Sequence, residues 1–192
     1  MVEQQNELSL DLKLRGIERR VVWIDSDIDQ DSLDIIRLIL EWNMLDRDLD
    51  PNERQPIKLL FFSPGGDLDV NNALIDTITL SKTPIHGFNI GRCESAAAFI
   101  FLSCHRRFTL PSGKFLFHRG SGYIAGSHDE IVAHISDTRR QVEKMEEFMT
   151  TRTNYSMEEV AGRIGGEWII CAQESIARGV AHEILSGLEE LI

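Results

Sequence analysis

The run Ile57-Lys58-Leu59-Leu60-Phe61-Phe62 stops abruptly at Ser63-Pro64-Gly65-Gly66, and no other stretch constrains the fold as strongly. A strand that is apolar on both faces must be covered on both, the condition of a parallel sheet layered with helices. The flanking sequence supplies such layers. Val21-Val22-Trp23-Ile24 reads as a short buried strand, and Asp31 to Leu45 as an amphipathic helix carrying Leu33, Ile36, Leu38, Ile39 and Trp42. Between them and the apolar run lies a charged, proline-bearing loop, Asp46 to Pro56. Asp67 to Leu80 resumes a helical period, and Ile85 to Ile90 is another strand. An apolar helix then begins near Ser95, followed by short strands at Arg107–Leu110 and Lys114–His118. This alternation predicts an α/β fold with a largely parallel sheet.

Beyond His118 the pattern changes. Arg119 to Gly126 is glycine-rich and reads as flexible, and Ser127-His128-Asp129-Glu130 has capping-box spacing. That box opens a long helix to about Arg152, long enough to project from the body. Ser156 to Glu159 forms a second box, Ala172 to Arg178 a short helix ended by Gly179, and Val180 to Ile184 a last strand. With 192 residues and 42% apolar composition, the chain fits one domain, 1–192. Residues 1–15 form an N-terminal segment, and about 119–152 the projecting region.

Charge and composition exclude several functions. Acidic residues outnumber basic ones, 31 to 20, for a net charge of −11, which argues against binding nucleic-acid phosphates. Cys93, Cys104 and Cys171 form no CxxC pair, so neither a disulfide framework nor a zinc site is expected. The opening MVEQQNELSLDLKL lacks the pattern of a signal peptide, and the longest apolar run, Ala96 to Leu102, is too short to span a bilayer. A cytoplasmic protein without membrane association is the expectation. No Walker A loop, HExxH, GxGxxG or GxSxG is present, so no cofactor and no metal is expected.

Three features fall at strand ends, where open parallel sheets gather their functional groups. Gly65-Gly66 permits close backbone approach. Ser95 sits at the start of its helix; by itself a serine there reads as an N-cap, its oxygen accepting from a free backbone N–H. The alternative is a nucleophile with the helix N-terminus behind it. Glu94 beside it would oppose negative charge if it pointed inward. His118 ends the run Phe115-Leu116-Phe117 and reads either as a hydrogen-bonded edge residue or as a base.

Taken in order, FFSPGGDLDVNNALIDTI, GRCESAAAFIFLS and RRFTLPSGKFLFH resemble the ClpP family of self-compartmentalising serine proteases, from about Gly16 to the C-terminus. The resemblance implies a ClpP/crotonase-type spiral of ββα units with a protruding handle helix. It implies Ser95 as nucleophile, His118 as general base, and the N–H groups of Gly66 and Ala96 as oxyanion hole. It also implies substrate backbone held at Gly65 and along Gly120, Ser121 and Gly122. Peptides or unfolded proteins would be cut inside homo-oligomeric, stacked rings, fed by an AAA+ unfoldase.

The chain departs from that family at several points. Glu167 stands where an aspartate orients the histidine, and His118-Arg119-Gly120 lacks the following proline. Gly165-Gly166 and Trp168 replace an acidic and basic pair tied to ring assembly. Lys58 and Leu60 replace aromatic unfoldase-docking residues. The expectation is a serine endopeptidase using Ser95, His118 and Glu167. A weak or inactive ring subunit is the alternative, and an acyl-CoA enzyme of crotonase type ranks last because it leaves Ser95 and His118 unexplained.

Overall fold

The computed structural model describes residues 2–191, with side chains from Leu10 onward. Met1 and Ile192, the ends of the expected domain span, lie outside the described residues. Helix α1 (Val2–Glu18) covers the expected N-terminal segment, residues 1–15, from Val2 onward. Its leucines at 10, 12 and 14 are each more than half exposed, so this helix presents apolar side chains to solvent.

Strand β1 (Val21–Ile24), helix α2 (Leu33–Leu45), β2 (Ile57–Ser63), α3 (Leu68–Leu80), β3 (Ile85–Glu94), α4 (Ala96–Ser103) and β4 (Arg106–Thr109) follow the expected alternation. β1 pairs with β2, β2 with β3 and β3 with β4, all parallel. β3 runs four residues beyond the expected Ile90 and changes neighbour along its length. His86–Asn89 pairs with β4, while Arg92–Glu94 pairs with β5 (Lys114–Phe117). The handover occurs around Gly91 (φ 150°), with a matching register shift in β2 between Phe61 and Ser63. β5 then pairs antiparallel with β6 (Trp168–Cys171), and the short β7 (Glu183–Ile184) closes the far edge against β4. The last strand is shorter than expected, two residues instead of five.

Cover on the sheet is unequal. Leu59 and Phe61 face the main core with Ile39, Leu74, Ile78 and all of the apolar α4, whose eight residues are buried. Leu60, on the opposite face, belongs to a small cluster with Phe88, Phe108 and Leu185. On that face Trp23 and Phe62 stay 45% and 49% exposed, so the expectation of full burial on both sides holds for only part of the strand. A helix apolar all round needs neighbours all round. Rings supply several of them: Phe61 and Phe101 meet edge-on at 5.5 Å, Phe99 and Phe117 at 5.3 Å, and Phe101 and Phe115 at 5.0 Å. These contacts lock α4 against β2 and β5, the strands that carry the rest of the site.

The carbonyls at the C-terminal end of α4 have no partners inside the helix. Arg107, 4% exposed, donates to Leu102 O, Val180 O, Gly179 O and Arg152 O. Arg152 adds bonds to the carbonyls of Leu102, Ser103 and Cys104. Two cations at a helix C-terminus suit its dipole. Burial draws the Arg107 guanidinium down to about 10, leaving it charged at neutral pH.

Both expected capping boxes form, at Ser127/Glu130 and Ser156/Glu159. They open α5 (His128–Arg152) and α6 (Met157–Arg163). Met149 is buried near the end of α5, while Val132 and Ile135 on its first half are about half exposed, as a protruding helix requires. Helix α7 (Ala172–Ala177) is followed by Gly179 in the left-handed region (φ 71°). Among the described residues no helix is long and apolar enough to cross a membrane.

Candidate active site

Ser95 does not cap its helix. It occupies the N-cap position, but its side chain makes no capping hydrogen bond. Its backbone (φ 53°, ψ −127°) lies where few non-glycine residues go, at a typical strain of about 1–3 kcal/mol. The bend turns the chain sharply from β3 into α4 and presents Oγ beyond the carboxyl end of the strand. There His118 Nε2 lies 2.7 Å from Ser95 Oγ. The contact follows from sheet register: Glu94 pairs with Leu116, and Ser95 N–H donates to Leu116 O at 2.8 Å. His118 is two residues further along the same strand direction, beside the serine.

Gly65 and Gly66 form the opposite wall. Ile28 bridges Gly66 in parallel fashion, its N–H donating to Gly65 O (2.8 Å) and its carbonyl accepting from Asp67 N–H (2.7 Å). In that pattern the N–H of Gly66 itself points away from Ile28. Among the described residues neither Gly66 N–H nor Ala96 N–H has a hydrogen-bond acceptor. Both residues line a cleft of about 670 Å³ together with Ser95 and His118. Ser63 fixes the turn from below, donating to Ser26 O (2.6 Å) and accepting from Gly65 N–H (3.1 Å).

The charge beside Ser95 is neutralised. Glu94 accepts from Arg92 at 2.7 Å and lies 3.8 Å from Lys114, so its carboxylate is turned to cations instead of into the cleft.

Gly120, Ser121 and Gly122 line the same cleft. The segment 119–126 forms no strand and is exposed, with no ladder partner among the described residues. Glu167 is not brought to His118: it is exposed and makes no hydrogen bond or ion pair with a described residue. The β5–β6 ladder ends at Phe117 opposite Trp168, which leaves Glu167 next in register opposite His118.

Arg119, unremarked in sequence except as a missing proline, ties the histidine segment to the long helix. Its Nε donates to Glu146 Oε1 at 2.9 Å, its Nη2 to Ala161 O at 3.2 Å, and its backbone N–H to Ile164 O at 3.1 Å. Asp27 also lines the cleft, within an acidic run, Asp25 to Asp31, that carries no motif.

Residues 4–187 match the family described as Clp protease. The chain belongs to the Clp protease family. Among solved structures it is similar to an asparagine-to-aspartate mutant of ClpP1 from Listeria monocytogenes, with a TM-score of 0.79 over 94% of this chain and 99% of that one. The two are 22% identical, so the likeness is one of fold. Family membership implies a peptidase. In this Clp protease family member the departures have definite surroundings. Trp168 is buried against Tyr155 (4.6 Å) with Arg163 over its ring (5.3 Å), and Gly165 and Gly166 are exposed. Leu60 is 5% exposed and therefore faces no partner surface.

Proposed function

We propose that this protein is a serine endopeptidase whose nucleophile is Ser95, and the 2.7 Å contact between Ser95 Oγ and His118 Nε2 carries the reading. Ser95 Oγ bonds to the scissile carbonyl carbon while His118 takes its proton, and the carbonyl oxygen becomes an oxyanion received by Gly66 and Ala96 N–H. Collapse breaks the C–N bond, with His118 returning the proton to the leaving amine. Water activated by His118 then releases the acyl group and restores Ser95. Gly120, Ser121 and Gly122 supply the unpaired backbone that receives the substrate strand. Glu167 is the proposed anion for the imidazolium, swinging from its register position opposite His118 as substrate displaces water.

The exposed apolar side chains of Trp23, Phe62, Val132 and Ile135 support assembly into homo-oligomeric rings enclosing the clefts. The unbonded Glu167 favours a second reading, a ring subunit of weak activity. A fluorophosphonate probe followed by peptide mapping separates them. Labelling at Ser95 alone supports the peptidase; an unlabelled native chain sinks it.

A further inference from the structure

Among the described residues that line the cleft, Asp27 is the one carboxylate. Its backbone is held on both sides to the turn bearing Gly66. Ser26 O accepts from Ser63 Oγ at 2.6 Å, and Ile28 N–H donates to Gly65 O at 2.8 Å. The carboxylate itself is exposed and makes no hydrogen bond or ion pair with a described residue. The cleft's other permanent charge, Arg119, is already engaged by Glu146 at 2.9 Å. None of the described residues lining the cleft therefore answers Asp27.

We infer that Asp27 is a specificity-determining residue that selects peptides with a lysine or arginine next to the scissile bond. The inference rests on the peptidase reading of Ser95 and His118. The reasoning is electrostatic on two counts. A basic side chain supplies the counter-charge that no described residue of the cleft gives Asp27, whereas an acidic one meets like charge. A bare carboxylate in the loop bonded to the Gly66 turn also opposes the oxyanion forming there, and a bound cation relieves that opposition. Tyr123, 91% exposed, and Ile124 offer surface for the aliphatic stem of such a side chain.

The test uses the full chain and fluorogenic peptides identical except for lysine, norleucine or glutamate at each position flanking the cleaved bond. At one position kcat/KM for lysine should exceed that for glutamate by about tenfold or more, combining attraction with repulsion. The ratio should shrink at about 1 M salt, where charges are screened beyond roughly 3 Å. Asp27→Asn should bring it within about twofold of unity, and Asp27→Lys should invert it. Because two substrates are compared on one enzyme, the ratio is independent of how much of each variant folds. Turnover without charge discrimination, or discrimination that persists in Asp27→Asn, overturns the role of Asp27 and leaves the peptidase standing. No turnover of any peptide, together with no probe labelling of Ser95, overturns both.

Discussion

Gly65 lies so close to Ser95 that a Cβ on the glycine would stand 2.6 Å from the serine's own Cβ and 2.8 Å from Ala96 N. Its φ of 97° adds strain for any side chain. The turn and Ser95 thus share one space. Gly65→Ala should lower kcat/KM by roughly a hundredfold and cost about 1–3 kcal/mol of stability. Peptide turnover and thermal melts measure the two effects. Gly162→Ala is the control, since its added Cβ meets nothing within 4 Å and the residue lies outside the cleft.

Ser95→Ala removes the proposed attacking oxygen while keeping a residue of similar size. Turnover should fall by roughly 10⁴-fold or more, as when other hydrolases lose their serine. Undiminished turnover in the purified variant would exclude Ser95 as the nucleophile.

Glu167→Gln separates a triad from a pair. An exposed glutamate with no bond to His118 at rest should matter less than a buried triad aspartate, whose loss costs about 10⁴-fold. The expected fall in kcat is about 10- to 100-fold, with the oligomeric state unchanged by light scattering. An unchanged kcat would leave Ser95 and His118 working without Glu167.

Arg107 should be among the most sensitive core positions. Arg107→Leu strips donors from the carbonyls of Leu102, Gly179, Val180 and Arg152 at once. A buried acceptor left unpaired costs about 1–3 kcal/mol, so the loss should exceed roughly 3 kcal/mol in chemical denaturation. Arg107→Lys, with a single ammonium, should recover only part of it.

Acid should weaken the fold before the carboxylates titrate. Burial, then Arg106, holds His86 down to about 4, and burial, then Arg107, holds His182 at about the same value. Burial and Arg152 lower His105 as well, whose Nδ1 accepts from Ile85 N–H at 2.9 Å. Unfolded histidine titrates near 6.5, so between roughly pH 6.5 and 4 the unfolded chain binds more protons than the folded one. Stability should be full above this window and fall as pH drops through it. Asp46, lowered by its hydrogen bond from Arg20, gives up its contribution only at more acid pH, as its carboxylate is protonated below the ordinary aspartate range. Melting temperatures from pH 7 to 4 check this; a flat profile would contradict it.

Ser127 and Ser156 bond to residues three positions away, and β1 and β2 are set by short apolar runs. Such features depend on neighbours in the chain, so the sequence alone determined them, along with the α/β class. The order of the Gly66, Ser95 and His118 segments was legible for the same reason. Tertiary structure decided what those residues do. Ser95 has the sequence of a helix cap, and only the β3–β5 register, joining positions 23 apart, turns its hydroxyl to His118. Register also left Glu167 opposite His118 without a bond, and segment 119–126 without a strand partner among the described residues. Asp27 and Arg119 were invisible as site residues because charge in a loop looks alike wherever it points. Which charges are answered depends on what the fold places across from them, here Glu146 for Arg119 and none of the described residues for Asp27.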